Sequence, residues 1–109
     1  MKNDIEKFVE ACILKGEADE MGNSSKGNKY YKTIESIYNH LKANNRLNEL
    51  AILLNHEQPY VKLWSSAYML PITPIESQKV LEELSGIKTI IGFTAKMTLK
   101  EWLKGNLKF

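Results

Sequence analysis

The sequence predicts an all-α domain of about six short helices arranged as antiparallel hairpins. Apolar residues recur every three or four positions through most of the 109 residues, which is the spacing of one buried helix face. Helix-stop and helix-start signals divide this pattern into short segments. No second strand is available to pair with the few β-branched residues, and an isolated strand is not stable. A chain of this length has room for one core, so we expect a single domain over residues 1–109.

The first predicted helix begins after Asn3. This residue can cap the helix, and Glu6, three positions later, completes a capping box. Beyond the helix, the stretch "GNSSKGN", residues 22–28, predicts a solvated loop because glycine, asparagine and serine favour turns. The expected apolar face comprises Ile5, Phe8, Val9, Cys12 and Ile13.

Three further helices follow at short intervals. The second is expected to end at "ANN", residues 43–45, and the third near "NHEQP", residues 55–59. Pro59 suits the first turn of the fourth helix, because the N–H that proline lacks has no helical partner there. The expected apolar faces are Tyr30, Ile34, Ile37, Tyr38 and Leu41 for the second helix, Leu47, Leu50, Ala51 and Leu54 for the third, and Val61, Trp64, Ala67 and Tyr68 for the fourth.

The stretch "LPITPIE", residues 70–76, predicts the end of one helix and the start of the next. Pro71 would clash with the preceding turn if the fourth helix continued. Thr73 is a candidate N-cap, Pro74 fits the first helical position, and Glu76 completes a capping box. The fifth helix is expected to bury Ile75, Val80, Leu81 and Leu84 and to end at Gly86.

The last part of the chain predicts a connector and a sixth helix. Residues 87–97 contain β-branched and aromatic residues without a partner strand, which predicts an ordered connector that can include one helical turn. Thr98 and Glu101 then form a capping box for the sixth helix, and Gly105 ends it. Its expected apolar side comprises Leu99, Trp102 and Leu103.

Two stretches of the sequence carry a resemblance to known proteins. Residues 60–86, "YVKLWSSAYMLPITPIESQKVLEELSG", resemble a HEAT-type helical hairpin. Together with "IIGFTAKMTLKEWLKGNL", residues 90–107, they are similar to a family of small bacterial proteins classed as a domain of unknown function. This resemblance covers residues 45–107. It implies a HEAT/armadillo-like α-α superhelix in a bacterial cytoplasm, and it implies no established activity.

Composition narrows the functional classes. The net charge of +2 is too small to indicate a nucleic-acid partner. The single cysteine, Cys12, cannot form an intramolecular disulfide, which favours a reducing, cytoplasmic location. The N-terminal residues do not form a signal peptide, and no stretch approaches the roughly 20 apolar residues of a membrane span.

The pattern of ionisable and nucleophilic residues predicts no catalytic, metal or cofactor site. His40 and His56 lack the spacing of a zinc helix, and no CxxC pair exists. Ser65 and Ser66 do not occupy a nucleophile elbow, and Ser65 is expected to fill a tight helix contact. Both histidines are expected near helix C-terminal ends, where a positive side chain is favoured.

A contact surface is predicted on the second helix. Tyr31 follows Tyr30 of the buried stripe, so it is expected to point about 100° away from the core. Lys29 and Lys32 stand beside it, and we expect Lys29, Tyr31 and Lys32 to contact a partner. Charge also alternates by block along the chain, since residues 23–48 and 84–109 each carry five basic and one acidic residue. Such blocks can steer a charged partner.

These observations favour a non-catalytic protein-binding module. The resemblance to the bacterial family suggests, more narrowly, an immunity or accessory protein of a toxin system, because some relatives appear beside toxin genes. One alternative is a nucleic-acid binder that uses the basic residues of 26–46, with Tyr30 or Tyr31 for stacking. A second alternative is a small-molecule enzyme, which would require a polar cleft that the sequence does not indicate.

Overall fold

The computed structural model describes residues 2–107 and confirms the all-α prediction for them. Contacts between residues group the chain into two compact units, residues 1–50 (unit 1) and residues 51–109 (unit 2). None of the described helices is long and apolar enough to cross a membrane. The elements are α1 (Asp4–Glu20), α2 (Ser24–Ala43), a 3-10 helix (Leu47–Asn55), α3 (Pro59–Met69), α4 (Pro74–Leu84) and α5 (Ile90–Leu103).

Unit 1 is an antiparallel hairpin of α1 and α2. The Asn3 side chain accepts a hydrogen bond from the Glu6 backbone N–H at 2.8 Å, which confirms the predicted cap. The N-terminal part of α2 lies beside the end of α1, and Arg46, just beyond α2, reaches Asp4 at the start of α1. The buried residues of the two helices form an apolar interface that includes Phe8, Ala11, Cys12, Ile34, Ile37 and Leu41.

The prediction of a loop over residues 22–28 is wrong, because α2 already begins at Ser24. Asn23 caps it by accepting a hydrogen bond from the Lys26 backbone N–H at 3.1 Å. Gly27 is buried, and a Cβ atom there would lie 2.8 Å from the Asp19 carboxylate. Glycine at position 27 therefore leaves room for the Asp19 side chain. The glycine, asparagine and serine residues around it nevertheless resemble those of a flexible turn.

The third predicted helix is a 3-10 helix, and it buries Leu50, Leu53 and Leu54. Helix α3 begins at Pro59 as predicted. Its buried surface is broader than one stripe, because Leu63, Ser65, Ser66 and Met69 are buried besides Val61 and Tyr68. Trp64 is only partly buried, and its ring lies 6.0 Å from the ring of Tyr68.

Helix α4 begins at Pro74, as predicted, but without the predicted capping box. The Thr73 side chain makes no cap hydrogen bond. Its hydroxyl instead contacts the Met69 carbonyl at 3.3 Å and the Ser77 hydroxyl at 3.0 Å. Leu81 and Leu84 are buried as predicted, whereas Ile75 is 84% exposed and does not belong to the core.

The prediction of a connector over residues 87–97 is also wrong, since α5 begins at Ile90. Thr89 is the actual N-cap and accepts a hydrogen bond from the Ile91 backbone N–H at 3.3 Å. Thr98 lies within the helix and donates to the Thr94 carbonyl at 2.8 Å, so it does not start a helix. Gly105 ends the helix as predicted, in a left-handed conformation with φ of +76°.

Unit 2 is a group of three helices, in which α3, α4 and α5 each pack on the other two. A HEAT-like superhelix would consist of equivalent hairpins. Unit 1 is one hairpin and unit 2 contains three mutually packed helices, so a HEAT-like superhelix is not shown. The buried residues at the centre of unit 2 are Leu63, Leu70, Leu81, Leu84, Ile91 and Ala95, with Tyr60, Val80, Ile87, Leu99, Trp102 and Leu107 packed around them.

Gly92 has a specific role in this group, because the turn between α4 and α5 crosses directly over it. A Cβ atom at Gly92 would overlap the Ile87 carbonyl oxygen and would lie 3.2 Å from the Ser85 carbonyl oxygen. Both obstacles are backbone atoms, which cannot move aside like the end of a flexible side chain. The first turn of α5 can therefore approach the preceding turn only with glycine at this position.

We expect Gly92→Ala to lower the free energy of unfolding by about 3 kcal/mol, because the backbone must shift to remove the overlap. Chemical denaturation monitored by circular dichroism measures this change. Gly86→Ala is the matched control, since a Cβ there would be 3.5 Å from its nearest neighbour. We expect that variant to stay within about 1 kcal/mol of the parent. Equal stability of the two variants would contradict the backbone contact at Gly92.

Candidate functional site

The predicted contact residues Lys29, Tyr31 and Lys32 are all exposed on α2. At about 100° per residue, Tyr31 and Lys29 differ in direction by about 160°. The Lys29 ammonium lies 5.9 Å from the centre of the Tyr30 ring. The Tyr31 hydroxyl donates to the Glu35 carboxylate at 3.1 Å, and this hydrogen bond raises the pKa of Tyr31. Lys29 and Lys32, three residues apart, thus share one face of α2, whereas Tyr31 points away from Lys29.

An open groove of about 540 Å³ lies between α1 and α2. Lys7 of α1 and Lys32 of α2 line it, together with Asp4 at one end. Asp4 accepts from Arg46 at 3.1 Å, and its other neighbour, His40 Nε2, is 3.5 Å away. No buried side-chain nitrogen or oxygen in the described part of the chain lacks a hydrogen-bond partner. The groove is thus a polar surface groove, and no buried polar side chain in the described residues is left without a partner for a ligand to satisfy. Its remaining lining residues are Thr33, Ser36, Ile37 and His40.

Arg46 also contacts Glu49, which lies in the first turn of the 3-10 helix and still within unit 1. Its guanidinium donates twice to Glu49, with an Nε–Oε2 distance of 2.6 Å and an Nη2–Oε1 distance of 3.1 Å. These hydrogen bonds lower the pKa of Glu49. A carboxyl group whose pKa is lowered by folding stabilises the folded state above its unfolded pKa. That contribution is lost as pH falls through the folded pKa.

We expect Glu49→Gln to lower the melting temperature slightly at pH 7 and to leave it unchanged at strongly acid pH. The difference should shrink as pH falls below the ordinary glutamate pKa of about 4.3. It should disappear below the lowered pKa of Glu49 in the folded protein, where the parent carboxyl group also becomes neutral. Thermal unfolding of parent and variant at a series of pH values measures the difference in melting temperature at neutral and at acid pH. Glu82→Gln serves as the control because the exposed Glu82 carboxylate forms no ion pair within the described residues. A difference that persists undiminished in acid would contradict the Arg46 contact.

The candidate nucleophiles Cys12, Ser65 and Ser66 are buried among packed helices. Cys12 is fully buried, and burial raises the pKa of its thiol far above the usual range. Ser65 and Ser66 are also fully buried, and both hydroxyls donate to the Lys62 carbonyl, at 3.3 Å and 2.5 Å. Within residues 2–107, no group of three or more histidine, cysteine, aspartate or glutamate side chains is placed to hold a metal ion.

We expect the Cys12 thiol of the folded protein to react with a thiol reagent at least 100-fold more slowly at neutral pH than the thiol of the unfolded chain. The reason is that the reactive thiolate is suppressed and the reagent has no access. Absorbance after addition of a disulfide reagent, with and without denaturant, measures the two rates. Rapid reaction of the folded protein would show that the packing around Cys12 opens.

A second groove, of about 320 Å³, lies within unit 2 between the 3-10 helix, α3 and α4. Lys62 and Lys79 line it together with Glu76 and Glu83. Because ammonium and carboxylate groups are equally represented, the groove presents no single sign of charge to a ligand. Its other lining residues, Ala51, Leu54, Asn55 and Val80, add apolar surface and one amide.

The most distinctive surface lies on α5, where apolar side chains face outward. Ile90 is 49% exposed, Phe93 65% and Met97 40%. Their spacing of three and four residues places them on one face, opposite the side of α5 that carries the buried Ile91 and Ala95. Lys100 and Lys104 continue the same line at the next spacings of three and four. We name the line Ile90, Phe93, Met97, Lys100 and Lys104 the α5 seam.

The α5 seam is bordered by further positive charge. Lys96 is exposed beside it, and Lys88 is exposed just before the helix. In residues 2–107, no ion pair engages the ammonium groups of Lys96, Lys100 or Lys104. The sequence prediction missed this surface because residues 87–97 were interpreted as a connector. The signal that was available is the presence of two apolar stripes, on opposite sides of one helical pattern, within residues 90–103.

Comparison with known proteins supports the fold alone. No family model matches the chain, and no curated protein matches it. The crystal structure of the protein RPA1889 from Rhodopseudomonas palustris CGA009 is similar, with a TM-score of 0.86 and 20% sequence identity. The alignment covers 97% of this chain and 90% of that protein. The chain thus shares an all-helical fold with a bacterial protein, and the predicted family resemblance is supported to that level.

Proposed function

We propose that this protein is a non-catalytic protein-binding module and that the α5 seam is its binding surface. The observation that carries the proposal is the exposure of Ile90, Phe93 and Met97 on one face of a helix whose opposite face is buried. Exposed apolar side chains on a monomer are usually scattered singly. Three in one line form a continuous apolar strip, and phenylalanine and methionine are enriched in protein interfaces.

The surroundings of the strip also support a protein partner. Interfaces combine an apolar centre with a polar rim. The exposed Lys96, Lys100 and Lys104 supply such a rim on two sides of the strip. Lysine stems can also cover apolar surface while the ammonium group stays hydrated. The seam therefore has the apolar centre and charged rim that are typical of a recognition surface.

The narrower form of this proposal is an immunity or accessory protein of a bacterial toxin system. It rests on the family resemblance of residues 45–107, and the bacterial origin of the structurally similar protein is consistent with it. Co-expression of the protein with each toxin-like product of the neighbouring genes tests this form, and a gene neighbourhood without such a product would contradict it. We expect growth to be rescued by the parent protein and not by its Phe93→Asp variant. Rescue by both proteins equally would contradict a role for the seam.

The basic residues of 26–46 offer less support for nucleic-acid binding. Lys26, Lys29 and Lys32 follow one another at spacings of three on α2, and Lys42 lies ten residues farther along the same helix. Arg46, beyond the helix, is engaged by two carboxylates. The first three lysines form only one short line of cations, and the net charge of the whole chain is only +2. We therefore place the binding surface on α5.

The direct test introduces a photo-crosslinking amino acid at position 93 in cells that express the protein. We expect one protein to be crosslinked in amounts comparable to the parent chain. The control places the same amino acid at Met21, which is 79% exposed in unit 1 and should yield no such product. Absence of a crosslinked protein at position 93, or an identical product at position 21, would overturn the proposal.

Binding of the identified partner by purified Phe93→Asp then tests the energetics. We expect affinity to fall at least tenfold, because an exposed apolar anchor is replaced by a hydrated charge. The unfolding midpoint should stay close to that of the parent because Phe93 is 65% exposed. Met21→Asp is the matched control and should retain the parent affinity. An unchanged affinity of Phe93→Asp would contradict the proposed surface.

A further inference from the structure

We propose that the partner presents an amphipathic helix to the α5 seam and that one end of this helix is acidic, with carboxylates opposite Lys100 and Lys104. This inference rests on the proposed function, because it specifies the chemistry of the partner at the same surface. Three features of the seam support it: its spacing, the order of its side chains and the charge that it leaves uncompensated.

The spacing of the α5 seam matches that of helix pairing. Ile90, Phe93, Met97, Lys100 and Lys104 are separated by three, four, three and four residues, as in the a and d positions of a heptad repeat. Such a line forms a ridge that runs nearly parallel to the helix axis, and it packs between the side chains of a second helix. The 14 residues of α5 span about 21 Å, which corresponds to two heptads of a partner helix.

The order of side chains gives the seam a direction. Its first three members are apolar and lie in the N-terminal half of α5, whereas its last two are lysines near the C-terminal end. Covering an ammonium group with apolar surface is unfavourable unless an opposite charge or a hydrogen-bond acceptor is supplied. A partner that covers the whole seam must therefore match three apolar positions with apolar groups and two lysines with carboxylates.

A second copy of this chain does not satisfy these requirements. Parallel pairing of two α5 seams would place Lys100 and Lys104 of one copy against the same lysines of the other. Antiparallel pairing would bring the lysines opposite Ile90 and Phe93, where no acceptor is available. Like charges in an interface are unfavourable, and so are unpaired cations against apolar surface. The partner is therefore a different protein.

An anionic membrane also fits the seam less well. A helix that lies on a membrane carries its lysines on the face opposite its apolar side chains, with the apolar face buried among the acyl chains. In α5 the two lysines occupy the same line as Ile90, Phe93 and Met97. Insertion of the apolar strip would consequently draw Lys100 and Lys104 toward the hydrocarbon region.

Synthetic helical peptides test the inference. Each has 21 residues with leucine at the a and d positions of two heptads, and its remaining a and d positions carry either glutamate or lysine. Both versions are made with the charged end at the N-terminus and at the C-terminus, so that either helix orientation is covered. Fluorescence anisotropy of each labelled peptide with the intact protein measures Kd. Vesicles containing one third anionic lipid are titrated in parallel.

We expect one glutamate peptide to bind at least tenfold more tightly than its lysine counterpart at low salt, with the ratio shrinking as salt is raised. The variant Lys100→Glu/Lys104→Glu should reverse the preference. The control Lys7→Glu/Lys26→Glu makes the same change of net charge in unit 1 and should preserve it. The salt titration on the parent protein needs no variant, so the test does not depend on how well the variants fold.

Equal affinity for the two peptides, the absence of binding to either, or binding to vesicles alone would overturn the inference. These outcomes differ from a failure of the proposed function. If a protein crosslinks at position 93 while the peptides are not discriminated, only the partner chemistry is wrong. If no protein crosslinks at position 93, the protein-binding function itself is wrong, whatever the peptides do.

Discussion

The packing of Ile91 and Ala95 against α3 and α4 fixes the rotation of α5 about its own axis, and the proposed binding surface depends on this contact. Both side chains are buried in the core of unit 2. A helix that buries one side must expose the opposite side, and here that side carries Ile90, Phe93 and Met97. The close crossing of the Ile87 carbonyl over Gly92 positions the first turn, where the strip begins. The core contact and the proposed binding surface thus lie on opposite faces of the same helix.

Unit 1 has a different means of fixing its geometry. The close contact between Gly27 and Asp19 positions one end of its hairpin, and the ion pair between Arg46 and Asp4 joins the other end. Between these points the core is formed by apolar side chains on facing helices. Asp4, which engages Arg46 in this ion pair, also lines one end of the groove between α1 and α2.

The helical class and most helix boundaries followed from the sequence because they depend on local signals. Each of these boundaries has its own local signal. The signals are a capping side chain at Asn3, proline in the first turn at Pro59 and Pro74, and a left-handed glycine at Gly105. The sequence prediction misses the start of α2 because glycine and serine favour turns in isolation, whereas Gly27 lies inside the helix, buried beside the Asp19 side chain. Local composition cannot distinguish a glycine that bends the chain from one that lets two helices approach.

The exposed apolar strip of α5 followed from the sequence less well than the fold. Residues 87–97 have β-branched side chains that weaken helix propensity, and packing against two other helices overrides that preference. Lys29, Tyr31 and Lys32 are close in sequence, but on α2 only Lys29 and Lys32 share a face. Exposure of a particular apolar residue follows from which side of its helix the core occupies, and a single sequence determines that only when one stripe is apolar. Helix α5 has two.

The distribution of two rare residue types has a practical consequence. Both tryptophans, Trp64 and Trp102, belong to unit 2, and the single cysteine, Cys12, belongs to unit 1. Indole fluorescence therefore reports on residues 51–109, while accessibility of the sulfhydryl group reports on residues 1–50. The protein carries one natural optical or chemical sensor in each half, so the order in which the halves lose structure can be followed without attaching any label.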